Sequence, residues 1–408
     1  MSRIDRLVEK EEKLRQKEAK KEARKMKRQS NRDGLLAEVG HFFGDYDRTV
    51  LVMVLVLSIF GIAMVFSAGY YSTVNSTDPN PLYFLIRQSV WVISGLVIMI
   101  FVSNFNYHKY YRWANALAII SIVLLVLVLL IGIEVNGGRR WLGYGSARIT
   151  PSELSKLFMI VFTSVYLANK PENIEGKGLL TLFGIMLAHF ALIVKQPNLS
   201  TAIVVCAIMF GIMFVAGLSY KWIGAIIAAA GIGTFMILTF MKNTHWYSRL
   251  TNWIDPFADA QGEGYQVSQS VIALGNGGVH GLGFGKSIAK NLYLPEPQND
   301  FILAIIGEEL GYIGFLLLMI AYLILLYRLI VIALQATDRL GFYLATGVAV
   351  MLGLQVIINV AVVTASMPAT GITLPFISYG GSSMWSFMAA IGISLNVSRN
   401  SRREKARR

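Results

Sequence analysis

Long apolar runs separated by short polar segments dominate this chain. A helix needs about 20 apolar residues to cross the hydrocarbon core of a bilayer, and about ten runs approach or reach that length. The predicted spans are Val50–Gly69, Phe84–Ser103, Trp113–Ile133, Ser152–Ala168, Gly178–Val194, Thr201–Gly217, Trp222–Met241, Phe301–Leu326, Phe342–Ala365 and Tyr379–Val397. The pattern therefore predicts an all-α, polytopic integral membrane protein with about ten transmembrane helices.

Composition supports the same class of protein. The chain has 408 residues, of which 55% are hydrophobic and 15% are charged, and its mean hydropathy of +0.55 is too high for one soluble core. Without a long linker or an internal repeat, we predict one transmembrane domain, residues 49–398, between basic tails at 1–48 and 399–408. Its longest polar segment is the loop 242–300, between the seventh and eighth spans.

The distribution of basic residues predicts the orientation. Because both tails are basic, the positive-inside rule places both termini in the cytoplasm and the loop 242–300 outside the cell. A basic tail beside a membrane span is typical of contact with anionic lipid, so we predict no nucleic-acid partner. The segment before Val50 lacks the short apolar region of a cleaved signal peptide, so we expect the first span to be retained.

Several arginines break this rule on the predicted outer side. Arg139, Arg140 and Arg148 lie between the third and fourth spans, and Arg249 lies in the long loop. Because the positive-inside rule disfavours arginine on the outer side, these residues indicate a local function. The simplest such function is to bind an anion at the outer membrane surface. The alternative is ion pairing with the acidic residues of the long loop, which are Asp255, Asp259 and Glu263.

Asp300 is the candidate catalytic residue. It ends the long polar loop immediately before the apolar run that begins at Phe301, where chemistry on a lipid-linked substrate would need an acid or a base. Since Asp is also a preferred helix N-cap, a purely structural role has equal weight. Glu308 and Glu309 follow in the same span, and Glu308, offset by about 80° from Asp300 around the helix axis, is the better candidate for sharing its cavity.

A second constellation surrounds Lys156. Thr150 and Glu153 have the spacing of a capping box around a proline, which predicts a helix start. Lys156 follows within a turn, and with Arg139 and Arg140 it would form a phosphate-type site at a helix N-terminus. Snorkelling of Lys156 to the membrane interface is the alternative.

Two further features have structural interpretations. Gln355 and Asn359 lie one turn apart in the ninth span and can form hydrogen bonds between helices. The segment Met367–Phe376 contains two prolines, which predict irregular backbone. Irregular backbone at membrane depth is tolerated only where it is buried in protein or lines a water-filled cavity. We expect this segment to border the site.

These residues also carry a family resemblance. The motifs, in chain order, are Asn136–Trp141, Pro151–Lys156, Gln196–Leu199, Gly264–Gln266, Tyr293–Ile302, Gly307–Gly311 and Leu374–Ser383. Together they resemble the SEDS family of bacterial shape, elongation, division and sporulation proteins, over nearly everything from Val50 to Val397. The amino-acid sequence around Asp300 and Glu308 is more similar to the division and sporulation branch, FtsW and SpoVE, than to the elongation branch, RodA.

The resemblance implies a ten-span peptidoglycan glycosyltransferase. Such an enzyme polymerises lipid II, the undecaprenyl-pyrophosphate-linked disaccharide, outside the bacterial plasma membrane. The family's catalytic aspartate matches Asp300, and its functional lysine, arginine and tryptophan match Lys156, Arg140 and Trp141. The other predicted substrate-binding residues are Arg139, Arg249, Glu296 and Glu308. We predict no metal-ligating residues, leave the cofactor open between none and a divalent cation, and expect a class B penicillin-binding protein and other divisome membrane proteins as partners.

The chain departs from the family pattern at two positions. Many members have glutamine where this chain has Thr150, which retains a capping side chain, and aspartate where it has Asn198. The second change removes the charge that an acid or a metal ligand would need at that position.

Three functions remain open from the sequence. The first is the transferase, with Asp300 as general base and cations on the pyrophosphate. The second is a lipid flippase, whose cavity could be lined by Glu308, Glu309, Lys195 and His189. The third is a scaffold that recruits a cell-wall enzyme to the division septum. Polar residues clustered on the outer side favour catalysis, because a flippase should show comparable features on both faces.

Overall fold

A computed structural model describes residues 46–75, 79–135, 138–144, 147–240, 247, 253–258, 262, 264–291 and 293–407. Three predictions therefore lie wholly or partly outside the described residues. They concern the basic tail 1–48, Arg249 with Asp259 and Glu263, and parts of the long loop 242–300.

Helices account for most of the described chain. Their bounds are α1 Arg48–Val74, α2 Tyr83–Asn104, α3 Tyr110–Ile131, α4 Pro151–Asn169, α5 Gly176–Val194, α6 Leu199–Val215, α7 Lys221–Phe240, α8 Tyr265–Gly277, α9 Ile302–Leu334, α10 Arg339–Val363 and α11 Gly381–Arg407. Each predicted span coincides with one of these helices, and α8 is an additional helix within the long loop. The helix α11 continues to Arg407, so the basic segment that begins at residue 399 extends a helix.

Six helical segments among the described residues have the length and apolar composition to cross a membrane. They are α1, α2, α3 with the 3₁₀ turn that precedes it, α5, α9 and α10, whereas α6 is an apolar helix of only 17 residues. The structure therefore agrees with a multi-pass membrane protein. A total of ten crossings stays a prediction.

A small sheet between α3 and α4 corrects the all-α prediction. Strands β1 Ile133–Val135, β2 Gly138–Tyr144 and β3 Ala147–Ile149 form an antiparallel sheet in the order β1-β2-β3. Glu134 lies opposite Arg139, and Leu142 lies opposite Ile149. Strands β1 and β3 have three residues each, and β2 lacks a strict alternation of apolar and polar positions, so the sequence of this segment has the pattern of a loop.

Packing brings the starts of several helices together. The helix α11 packs along α2, α4 packs against α3 and α6, and α9 packs against α10. Polar side chains cross-link these contacts, as predicted for Asn359: its Nδ2 donates to the carbonyl oxygens of Asp300 and Ile372, each at 2.8 Å. These two bonds join α10 to the start of α9 and to the irregular segment Met367–Phe376.

The helix α9 is interrupted one third of the way along. Gly311 has φ +66° and ψ −168°, a conformation open to glycine because it has no β-carbon. The backbone after α8 replaces the lost helical bonds: the N–H groups of Leu282 and Gly283 donate to the carbonyls of Glu308 and Glu309, at 3.0 and 2.9 Å. Backbone polar groups buried at such a break need partners, so this part of the long loop belongs to the helix bundle.

Candidate active site

A cavity of about 1050 Å³ opens at one end of the bundle. Its walls include residues at or near the starts of α2, α4, α6, α9 and α11, together with part of β2 and of the irregular segment Met367–Phe376. Four predicted site residues line it, namely Arg140, Trp141, Glu296 and Asp300. The cavity is large enough for a substrate bigger than a single sugar, because pockets for drug-sized ligands measure about 300–1,000 Å³.

The electrostatics of this cavity favour an anion on part of its wall. Helix N-termini carry partial positive charge and unpaired N–H groups, and those of α4 and α6 begin at residues on or next to the lining. Arg87, Arg140 and Arg148 add three cationic side chains to the same lining. The guanidinium of Arg87 lies over the ring of Tyr83, with Cζ 4.6 Å from the ring centroid. Phosphate groups match this combination of donors and charge.

Asp300 lies on the wall of the cavity, one residue before the N-cap position of α9. The helix begins at Ile302, with Phe301 at the N-cap position and no side-chain cap from that residue, so Asp300 does not occupy the N-cap position itself. Its backbone carbonyl is held by Asn359, and a β-carbon placed on Gly371 would lie 3.6 Å from its Oδ2. The irregular segment thus lies against the carboxylate, as we expected for a segment bordering the site.

Arg140 joins the small sheet to the start of α6. Its Nε donates to the carbonyl of Gln196 at 3.3 Å, and its Nη2 donates to the carbonyl of Pro197. The next residue, Asn198, caps α6, because its side-chain oxygen accepts from the N–H of Thr201 at 3.3 Å. Asparagine caps about as well as aspartate, so the departure from the family pattern at Asn198 preserves the local structure.

The structure corrects the placement of Lys156. Its side chain is only 2% exposed and does not line the cavity. Nζ lies 2.7 Å from Oε2 of Glu153 and 3.1 Å from Oε1 of Gln355, so the lysine neither snorkels nor faces a phosphate. Glu153, which does line the cavity, is the residue that Lys156 positions.

The predicted capping box at the start of α4 is also wrong. The side chain of Thr150 makes no capping bond, and its backbone N–H donates to Oγ of Ser382 at 3.0 Å, while the carboxylate of Glu153 binds Lys156. The proline at the first helical position is as predicted.

Arg139 lies outside the cavity lining, unlike its neighbour. Its Nε is 3.1 Å from Oε2 of Glu134 across the β1–β2 pair, and both side chains are more than half exposed. Ion pairing is therefore the observed role of Arg139, although its partner is within the sheet and not in the long loop. An exposed pair of this kind contributes little to stability.

Glu308 does not share a cavity with Asp300, which corrects another prediction. It is fully buried and accepts hydrogen bonds from Asn276 Nδ2 at 3.2 Å, from the N–H of Ala289 at 3.1 Å and from Oγ of Ser287. Its carboxylate fixes the long loop to α9. Because every bond comes from the protein itself, this carboxylate is structural.

Glu309 completes the same structural cluster. Its Oε1 lies 2.8 Å from Nζ of Lys290, and its carboxylate accepts from Oγ of Ser67 at 2.7 and 2.9 Å. Lys290 and Glu309 are 6% and 0% exposed, so the ion pair is shielded from water. We call Ser67, Ser287, Lys290, Glu308 and Glu309 the loop anchor.

Several cavity residues had no strong signal in the sequence. Arg87 is a single cation four residues inside helix α2, and the position of Glu153 in the sequence predicts a role in a helix cap. Gln298, Thr370 and Thr373 also line the cavity, and uncharged side chains of this kind have no recognisable spacing. Within the described ranges, no group of three or more His, Cys, Asp or Glu residues is placed to hold a metal ion.

Comparisons with known proteins agree with this architecture. The sequence model of the FtsW, RodA and SpoVE family, described as "Cell cycle protein", matches residues 47–403. The chain is 40% identical to Stage V sporulation protein E of Bacillus subtilis (strain 168), over 87% of this chain and 98% of that protein. It is 35% identical to the probable peptidoglycan glycosyltransferase FtsW of Trichlorobacter lovleyi, over 87% and 93% of the two chains.

Two solved structures have the same fold. A chain from a study of "structural coordination of polymerization and crosslinking by a peptidoglycan synthase complex" superposes with a TM-score of 0.71 at 30% identity, over 87% of this chain and 98% of that chain. The rod shape determining protein RodA of Thermus thermophilus superposes with a TM-score of 0.64 at 28% identity, over 87% and 97% of the two chains.

Proposed function

Because the chain belongs to the FtsW, RodA and SpoVE family, we propose that it is a peptidoglycan glycosyltransferase that polymerises lipid II in cell division or sporulation. The observation that carries the proposal is the cavity, in which a carboxylate at Asp300 shares one space with Arg87, Arg140 and Arg148. A glycosyl transfer from a pyrophosphate needs a base for the attacking hydroxyl and positive charge for the leaving group.

The reaction assigns a role to each wall of the cavity. Asp300 accepts the proton of the acceptor hydroxyl as its oxygen attacks the anomeric carbon of the donor sugar. The bond from that carbon to the pyrophosphate breaks, and the electron pair leaves with the lipid-linked pyrophosphate. The arginines and the helix N-termini stabilise the negative charge that develops there.

Lys156 acts in this scheme through Glu153. The ammonium holds the Glu153 carboxylate at 2.7 Å, and Gln355 holds the ammonium from α10. Glu153 therefore has a fixed position on the cavity wall, where it can orient a sugar hydroxyl. Glu296, which also lines the cavity and adopts a left-handed φ of +46°, is a second group available for binding substrate hydroxyls.

We further propose ten membrane crossings, with both termini in the cytoplasm and the cavity at the outer face of the plasma membrane. All the helix starts at the cavity lie at the opposite end from the basic connections at Lys170, Lys177 and Lys221. In a Cys206→Ala background, a cysteine at Tyr293 should react with an impermeant maleimide on intact cells, and one at Lys177 should not. The reverse pattern would place the cavity in the cytoplasm and overturn the proposal.

The proposed partners are a class B penicillin-binding protein and other divisome membrane proteins, with enrichment at the division septum. Support comes from the solved synthase complex, which is described as coordinating polymerisation and crosslinking. The decisive assay mixes purified protein with lipid II, alone and with candidate class B partners, and sizes the products on a gel. Glycan polymers establish the transferase. Lipid II translocation into vesicles without polymer formation would instead establish a flippase.

A further inference from the structure

The side chain of Gln298, two residues before Asp300, ends in a carboxamide that has no role in the mechanism proposed above. Gln298 is only 8% exposed and lines the cavity, and its Oε1 has no hydrogen-bond partner among the described residues. A buried polar atom without a partner costs about 1–3 kcal/mol, and folded proteins contain few of them. Such a group on a cavity wall is explained when a ligand supplies the missing bond.

The backbone around Gln298 is held by hydrogen bonds. The carbonyl of Gln298 accepts from the N–H of Tyr379 at 2.9 Å, which ties the loop to the segment before α11. The adjacent Asn299 donates from its backbone N–H to the carbonyl of Glu296 at 3.0 Å, closing a turn. The carboxamide therefore extends from a hydrogen-bonded turn, and its burial limits the conformations that its side chain can adopt.

Two hydroxyls on the same lining share this property. Within the described part of the chain, Oγ1 of Thr370 and Oγ1 of Thr373 are buried without hydrogen-bond partners, and both residues line the cavity. They flank Gly371, the residue that lies against the carboxylate of Asp300. Uncharged acceptors and donors next to a base suit a neutral polar ligand, whereas the arginines suit the anion.

We propose that Gln298, Thr370 and Thr373 form a subsite for the acceptor sugar, in which Oε1 of Gln298 accepts a hydrogen bond from an acetamido N–H. The inference rests on the proposed transferase function and specifies which part of the substrate occupies this wall. An acetamido group offers one N–H donor and one carbonyl acceptor, which complement a carboxamide oxygen and a threonine hydroxyl. Gln298 is thus a positioning residue that selects N-acetylated sugars.

The test compares Gln298→Met with wild type, and uses Gln335→Met as the matched control. Gln335 is exposed at the end of α9 and lies outside the cavity lining. Methionine has a similar length and no polar atoms, so Gln298→Met should leave the apparent Tm unchanged or raise it, because no bond within the protein is lost. A purely structural role for Gln298 would instead lower the Tm.

Binding gives the direct readout. The Kd of detergent-solubilised protein is measured for lipid II and for an analogue whose acetamido groups are replaced by hydroxyls. Wild type and Gln335→Met should bind lipid II about 3- to 10-fold more tightly than the analogue, and Gln298→Met should lose that preference. An unchanged preference in Gln298→Met overturns the subsite.

A kinetic arm separates this inference from the proposed function. Gln298→Met should raise the KM for lipid II about 3- to 10-fold with a smaller change in kcat, since it removes binding and not the base. If Gln298→Met loses the preference shown by wild type and no polymer forms with any partner, the transferase proposal fails, while recognition of an acetamido group by Gln298 stands. If polymer forms and the preference is unaffected by Gln298→Met, the reverse holds.

Discussion

The cavity and the loop anchor both contain carboxylates, but they differ in how their polar groups are paired. In the loop anchor the polar groups bind one another, whereas several polar groups on the cavity wall face the space that a substrate would occupy. Glu308 and Glu309 are fully buried, and their oxygens accept bonds from serine hydroxyls, backbone N–H groups, Asn276 and Lys290. On the cavity wall, by contrast, Gln298, Thr370 and Thr373 keep buried oxygens without partners within the described chain. The bonds of Glu308 and Glu309 fix the long loop, whereas the buried groups on the cavity wall are placed where a ligand can reach them.

This difference explains why the charge and burial of a residue are not enough to identify it as a substrate-binding or catalytic residue. A buried carboxylate in an apolar helix is a reasonable functional candidate, because burying it is costly. In α9 the cost is offset by the long loop, whose backbone also closes the break at Gly311. The glutamates therefore stabilise the loop that ends at Asp300, and act on the site only through its position.

Removing the anchor should have the largest effect on stability. Glu309→Ala leaves the Lys290 ammonium buried without its carboxylate, so the free energy of unfolding should fall by about 3–5 kcal/mol. Reversible unfolding in mixed detergent measures the change. The double variant Glu309→Met with Lys290→Met should recover much of the loss, because apolar replacement of a whole buried pair is often nearly neutral. A stable Glu309→Ala protein would show that the ion pair does not hold the loop.

Two adjacent arginines give the next test, directed at the cavity. At lipid II concentrations below saturation, Arg140→Ala should reduce polymerisation about 10- to 100-fold, because a charged hydrogen bond to the leaving group is lost. Arg139→Ala is the matched control, since Arg139 is exposed and pairs with Glu134 outside the cavity lining. It should remain close to wild type. Equal losses in the two variants would mean that net charge near the sheet matters and that the position of Arg140 does not.

The smallest expected effect concerns the cap of α6. Asn198→Asp should keep the apparent free energy of unfolding within a few tenths of a kcal/mol, whereas Asn198→Ala should lower it by about 1 kcal/mol. Thermal unfolding of the two variants checks this order. Equal destabilisation by Asp and Ala would show that the carboxamide of Asn198 is needed for more than the bond to the N–H of Thr201.

The sequence predicted the helices well and the site only in part. Long apolar runs are a direct signal of helices that can cross a membrane, and each predicted span coincides with a helix. Arg140, Trp141, Glu296 and Asp300 line the cavity, and they belong to motifs at helix and loop boundaries; their roles in substrate binding and catalysis stay predictions. The hydrogen-bond partners of buried side chains could not be predicted. Lys156 binds Glu153 and Gln355 because α10 packs against α4, and no local sequence pattern predicts which helices pack together.

Two matched substitutions test the central claim most directly. Asp300→Asn and Glu308→Gln each replace a carboxylate by the carboxamide of the same shape, one in the cavity and one in the loop anchor. Lipid II polymerisation is measured with the class B partner present and equal amounts of folded protein, alongside the apparent Tm. We expect Asp300→Asn to lose about 10²-fold or more in rate at an unchanged Tm. Glu308→Gln should lower the Tm and keep the rate per folded molecule within about 3-fold of wild type, since its loss is one of stability. Near-wild-type polymerisation by Asp300→Asn would contradict the assignment of the base, and Glu296 would then be the first carboxylate to test.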